Sequence, residues 1–278
     1  MRLIKMIGGL GNQMFIYAFY LQMRKRFSDT RIDLSDMRHY RAHNGYELER
    51  VFGIKDNEFC LPKPVKKILE LLFFKVVWEG KHNLETTTAY TKSYTYPWVY
   101  FKGFYQSEKY FKEVEEDVRK AFTFDCSQAN SESKRLAEQI KADAHAVALH
   151  VRRGDYHSPK FYKLYGSVCT LEYYQAAVER VLKVDPEAHF YLFSDDPNWV
   201  REHINLPNAT VVDCNRGKDS WQDMMLMSFC KHNIICNSTF SWWGAWLNSN
   251  PAKFVIAPAQ WLAGHEYPNL IPQTWTRV

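Results

Sequence analysis

The residues with the most chemistry to offer are His150, Arg152, Arg153 and Asp155, in the run Ala146-Val-Ala-Leu-His-Val-Arg-Arg-Gly-Asp-Tyr156. Apolar residues lead straight into them, and Gly154 breaks the run. This is the pattern of a buried strand that ends at a polar site. Open α/β sheets bind ligands just outside the carboxyl ends of their strands. Two adjacent guanidinium forks match phosphate oxygens, so the chemistry indicated is the binding of an anion. Strand alternation sends His150 and Arg152 to one face and Arg153 to the other. The two arginines are therefore expected to differ in role, with Arg152 on the ligand and Arg153 paired to a carboxylate behind the strand.

Three more polar segments follow apolar runs. Gly8-Gly-Leu-Gly-Asn-Gln13 joins a first strand to a first helix. Gly9 and Gly11 would let the backbone approach a ligand, and a helix start offers free N–H groups to an anion. A tight turn with Asn12 as N-cap explains the same residues. A dinucleotide fingerprint is weakened because Met14 stands where glycine is needed, although Asp33 follows at a distance suited to a ribose contact. No P-loop motif is present. Asn237-Ser-Thr-Phe-Ser-Trp-Trp243 opens a later helix, where Ser238 or Thr239 could hold a phosphate or simply cap the helix. Ser194-Asp195-Asp196 is either a site edge or a cap before Pro197, and the two readings are compatible. Asp223, in the first turn of a helix, either complements the helix dipole or accepts the paired N–H groups of a guanine base.

The elements that must position these residues alternate as in parallel α/β proteins. Strands are expected at 3–7, 31–34, 98–104, 147–151, 190–193, 210–212, 234–236 and 254–257. Helices are expected at 12–27, 107–121, 171–184, 220–231 and 240–248. Residues 36–98 give no firm register. The polar stretch 125–143, with Ser131 placed as an N-cap, marks a domain junction.

With 278 residues, 46% hydrophobic and 24% charged, the chain reads as globular. A net charge of +5 suits an anionic substrate or membrane surface and falls short of a nucleic-acid binder. The 9 Trp and 17 Tyr suggest a carbohydrate cleft, though ordinary packing accounts for any one of them. None of the 6 Cys forms a C-x-x-C pair, and Cys230 and Cys236 read as buried reduced thiols. No signal peptide or membrane span is found. The segment VKKILELLFFKVVW at 65–78 could lie on an anionic membrane, but packing on the core as an amphipathic helix is the better reading.

Taken together, Gly8-Gly-Leu-Gly-Asn-Gln-Met-Phe15, His150-Val-Arg-Arg-Gly-Asp155, Phe193-Ser-Asp-Asp196 and Asn237-Ser-Thr-Phe-Ser-Trp-Trp-Gly-Ala-Trp246 resemble the bacterial alpha-1,2-fucosyltransferases. Ile16 departs from the glutamine more usual there and reads as a helix-face change. The resemblance implies a GT-B-type α/β fold of two Rossmann-like domains with a cleft between them. Residues 1–130 would form the acceptor-side domain and 131–278 the GDP-fucose-binding domain. It implies inverting transfer of L-fucose from GDP-fucose to the 2-hydroxyl of a terminal galactose, with no metal and no other cofactor. Catalytic roles fall to Arg152, on the donor diphosphate, and to Asn12, facing the sugar. Donor binding falls to Gly9, Gly11, Asn12, His150, Arg152, Asp155, Ser194, Asp195, Asp223, Ser238, Thr239 and Phe240. Partners would be GDP-fucose and a galactose-terminated acceptor, with no nucleic acid. The location would be cytoplasmic, with segment 65–78 the one candidate for peripheral contact to the inner membrane face. The rivals are a nicotinamide-dependent oxidoreductase on the same fold and a non-catalytic glycan-binding module.

Overall fold

The computed structural model describes residues 1–37, 40, 43–55, 58–79 and 96–278. These divide into two compact units, Met1–Phe124 and Asp125–Val278. The division precedes the 130/131 boundary because Asn130 already bonds into the second unit. Its N–H donates to Gln222 Oε1 (2.9 Å) and its Nδ2 to Asn215 Oδ1 (2.8 Å).

The first unit holds β1 (Arg2–Lys5), α1 (Leu10–Arg26), β2 (Thr30–Asp33), α2 (Leu48–Phe52), β3 (Glu58–Phe59), α3 (Lys63–Leu72), β4 (Lys75–Trp78), β5 (Val99–Lys102) and α4 (Glu115–Ala121). Its strands are all parallel, in the order β3-β2-β1-β5-β4. Ile4 of the central strand pairs with Ile32 and Phe101. α1 is apolar all round from Met14 to Tyr20, so the core closes over it on every side.

α1 starts at Leu10, with extended Gly9 at its N-cap and no side chain capping it, so Asn12 lies inside the first turn and is not the cap. The single helix expected at 107–121 is two 3-10 turns, Glu108–Tyr110 and Lys112–Val114, followed by α4. Phe111 and Val114 leave the helical region (φ −135° and −128°), which lets Tyr110 and Phe111 both turn onto α1 at Phe19 and Phe15. Residues 65–78 are not one helix. Phe73 ends α3, and the β-prone Lys75-Val-Val-Trp78 pairs with β5 as an edge strand. Asp33 is buried at the end of β2, accepts hydrogen bonds from Tyr100 Oη (2.5 Å) and Ser35 Oγ, and forms an ion pair with Lys66 Nζ (3.0 Å), so it is not open to a ribose.

The second unit holds α5 (Ser131–Ala142), β6 (Ala146–Val151), α6 (Leu171–Val184), β7 (His189–Ser194), α7 (Pro197–His203), β8 (Ala209–Val212), α8 (Trp221–Phe229), β9 (His232–Ile234), α9 (Thr239–Leu247), β10 (Val255–Ala257) and β11 (Thr276–Arg277). The sheet is parallel in the order β11-β10-β9-β6-β7-β8. Val147, Leu149 and Val151 face α6 and pack with Tyr173, Ala177 and Val181. Asn130, not Ser131, caps α5, its side chain accepting from the N–H of Ser133 (2.8 Å). All six cysteines are free thiols, with Cys230 and Cys236 buried. Among the described residues no helix is long and apolar enough to cross a membrane.

Candidate active site

β6 is the hinge of the second sheet's topology. From it the chain steps outward through β7 to β8 on one side, while β9, β10 and β11 fill the other. Strand order therefore reverses between β6 and β9, and a crevice opens outside the carboxyl ends of strands at such a reversal. Residues 152–155 leave β6 at that point, and residues 237–240 follow β9 beside it.

Arg152 is held in a fork of carboxylates. Its Nη2 donates to Asp155 Oδ1 (2.8 Å), and its Nη1 lies 3.0 Å from Asp195 Oδ2. The side chain keeps 29% of its surface exposed, so the cation is oriented and still reachable. Burial opposes its charge, but Asp195 and Asp155 outweigh that cost and raise its pKa. Arg153 turns the other way. Its guanidinium lies 4.0 Å over the Trp199 ring, and its Nε donates to Asp196 Oδ2 (3.2 Å). Asp196 also caps α7 by accepting from the Trp199 N–H (3.2 Å), with Pro197 in the first turn. The arginines therefore have the separate surroundings that alternation requires.

His150 lies beneath this surface, 5% exposed, with Nδ1 3.2 Å from Cys236 Sγ and its ring 5.7 Å from that of Phe240. Burial, then the Arg152 charge, pushes its pKa down to about 3, so the imidazole is neutral and supplies no positive charge. Ser194 Oγ accepts the Asp196 N–H (3.0 Å), and Asp195 accepts the Arg153 N–H (2.8 Å). Ser238 caps α9 by accepting from the Phe240 N–H (3.3 Å), while Thr239 and Phe240 are half-exposed in its first turn. His150, Arg152, Asp155, Ser194, Asp195, Ser238, Thr239 and Phe240 thus gather at one sheet edge.

Sequence reading missed the anchor of that edge, Asn237. Its Nδ2 donates to the carbonyls of Tyr165 and Trp261 (both 3.0 Å), and its own carbonyl accepts from Tyr156 Oη (3.1 Å). Those partners lie too far along the chain for any local motif to reveal. The tryptophans beside it are not sugar platforms: Trp242 and Trp243 are fully buried, with ring centroids 5.0 Å apart, and Trp242 Nε1 donates to the Leu270 carbonyl (2.9 Å).

Asp223 stands in the first turn of α8, a crossover helix that starts at the same carboxyl edge. Among the described residues it shares no hydrogen bond with the Arg152 cluster. It accepts instead from Asn215 Nδ2 (2.8 Å), and Asn215 accepts from Asn130 Nδ2 (2.8 Å) and Ser133 Oγ (3.0 Å). Burial pushes its pKa up to about 7, against the lowering effects of Asn215 and Arg216.

Gly9, Gly11 and Asn12 belong to the first unit. Gly8 has φ +89°, and a Cβ there would lie 2.8 Å from Asn12, so only glycine fits. Asn12 Oδ1 accepts from Gln106 Nε2 (2.8 Å), and the His43 ring sits over Gly9. Gln13 is fully buried and donates to the carbonyls of Gly8 (2.8 Å) and Gly45 (2.7 Å). Glu47 is buried beside the start of α1; burial raises its pKa, against the lowering pull of Arg50, whose Nη2 lies 2.6 Å from Glu47 Oε1.

The model of glycosyl transferase family 11 matches residues 2–267. The chain is 32% identical to an alpha-1,2-colitosyltransferase of Escherichia coli, over 99% of this chain and 97% of that protein. It is 27% identical to galactoside alpha-(1,2)-fucosyltransferase 1 of Ateles belzebuth over 60% of this chain, about half (48%) of that longer protein. In three dimensions it resembles NodZ alpha-1,6-fucosyltransferase, crystallised with GDP, at a TM-score of 0.52 and 15% identity, covering 87% of this chain and 91% of that one. That likeness shows the fold, which is of the GT-B type.

Proposed function

The chain belongs to glycosyl transferase family 11, and from that premise we propose that it moves L-fucose from GDP-β-L-fucose to the 2-hydroxyl of a terminal galactose, inverting the anomeric carbon. The observation that carries the reading is Arg152, forked between Asp155 and Asp195 where the strand order reverses. Breaking the sugar–phosphate bond leaves charge on the GDP oxygens. Donors fixed in advance stabilise that charge most. Arg152 would take it as a planar fork, supported by the positive end of α9 behind Ser238. Asp223 would accept the N1–H and N2–H of guanine, and Asn12 would face the transferred sugar. His150, neutral and buried, would position the loop rather than touch the phosphate.

The oxidoreductase reading loses its ribose-binding acid, because Asp33 is committed to Tyr100, Ser35 and Lys66. The similarity to an alpha-1,2-colitosyltransferase makes colitose the competing transferred sugar. Purified protein, GDP-fucose and lactose should give acceptor-dependent GDP release and a product linked at the galactose 2-position. Excess EDTA should leave the initial rate nearly unchanged, since the charge is met by protein donors. GDP-colitose turned over faster than GDP-fucose would move the donor assignment. Stabilisation by NAD in place of GDP would overturn the reading.

Gly154 provides a sharper test of the fork. A Cβ there would lie 2.4 Å from Asp195 Oδ2. Asp195 must then move, and Arg152 loses one of its two carboxylate supports. Gly154→Ala should lower the transfer rate by about tenfold, as expected when a reacting group loses its fixed geometry, while the melting temperature changes little. Unchanged kinetics would show that Asp195 does not orient Arg152.

A further inference from the structure

α3 is turned inside out. Its inward side carries Lys66, Leu69 and Glu70. Lys66 Nζ bridges Asp33 (3.0 Å) and Asp36 (3.1 Å), and Glu70 accepts from Lys102 Nζ (2.6 Å). Leu69 packs against the small cluster of Leu3, Phe74 and Tyr100. The outward side carries Val65, Ile68, Leu71 and Leu72, which are 42%, 56%, 84% and 65% exposed. Phe73 continues it at 58%. This reverses the core-packed helix expected from the sequence: the apolar stripe exists but faces water.

The surface extends beyond the helix. The Phe73 ring lies 6.2 Å from that of half-exposed Trp98, and Lys75 Nζ lies 5.3 Å over the ring of exposed Tyr96. Lys67 and Lys75 are exposed beside the apolar side chains. The neighbouring acids Asp36 and Glu70 are each bonded to a lysine, so positive charge predominates at this face. Isolated exposed apolar residues are ordinary, whereas a continuous row of them marks an interaction site. A short helix with an apolar face, lysines at its margin, and Trp and Tyr beside it has the composition of an element lying in a membrane interface.

We infer that this face of the first unit seats on an anionic lipid surface, with α3 lying along it. The lysines meet lipid phosphates, the aliphatic side chains enter the acyl boundary, and the two aromatic rings sit at headgroup level. None of these residues belongs to the polar strand ends, so membrane binding and sugar transfer can be tested separately.

The test is co-sedimentation of the full chain with phosphatidylcholine vesicles, with and without phosphatidylglycerol. Binding is expected to the anionic vesicles and should weaken with added salt. Leu71→Ser/Leu72→Ser should abolish it. Lys67→Gln/Lys75→Gln should reduce it roughly thirtyfold, as loss of two near-surface cations predicts. Transfer to a soluble acceptor and the melting temperature should not change in either variant, because the substituted side chains are exposed. Absence of binding to anionic vesicles, or equal binding by the variants, would overturn the inference. So would a dimer, seen by sedimentation velocity, that Leu71→Ser/Leu72→Ser dissociates while lipid binding is nil.

Discussion

Arg152→Lys should lower the transfer rate by about 10²–10³-fold although it keeps the positive charge. That is the usual cost of losing a donor aimed at developing negative charge. An ammonium cannot reproduce the planar fork that Arg152 presents between Asp155 and Asp195. Arg153→Lys should be milder, within about tenfold in rate, since it removes no donor aimed at the developing charge. Arg153 lies over Trp199 and bonds Asp196 at the cap of α7, so its substitution should register mainly in stability. The loss should be about 0.5–1 kcal/mol, the scale of a half-exposed cation–π contact. Rates at saturating donor and melting temperatures of the two variants decide the matter. An active Arg152→Lys beside an inactive Arg153→Lys would reverse the roles.

What the sequence made legible follows one physical division. Features governed by neighbours within a helical turn were readable. The strand ending at Arg152, the Asp196–Pro197 cap and the Ser238 cap depend only on local spacing and backbone chemistry. Features governed by distant partners were not. Asn12 is placed by Gln106, far along the chain, and not by the helix start that it was expected to cap. Asn237 answers to Tyr165, Trp261 and Tyr156, none of which a motif can name. Periodicity located an apolar stripe in α3 but could not say which way it points. That direction is decided by Lys66 finding Asp33 and Asp36 on the inward side. β3 and β11 are two-residue strands with no pattern of their own, held by pairing to β2 and β10.

Affinity for GDP should rise with pH through about 7, and Asp223 is the reason. In the free protein burial holds its pKa up to about 7, so near neutrality the carboxyl is protonated about half the time. Guanine would bond the ionised form, which accepts two N–H groups. Below that pKa a proton must leave before GDP can bind, so the dissociation constant should rise about tenfold for each pH unit lost. Above it the dependence should flatten. The linkage to folding has the opposite sign. A carboxyl whose folded pKa is raised from 3.8 favours the folded state at low pH, and that contribution is lost as pH rises from about 4 to 7. GDP should therefore protect the fold more strongly at pH 8 than at pH 6. Asp223→Asn keeps the neutral shape and should bind GDP about 1.5–3 kcal/mol more weakly at pH 8, the cost of a lost charged partner. It should also remove the pH dependence. Titration calorimetry at pH 6, 7 and 8 reads both effects. A wild-type affinity that does not change with pH, or an Asp223→Asn variant that keeps the wild-type slope, would return Asp223 to a structural role beside Asn215.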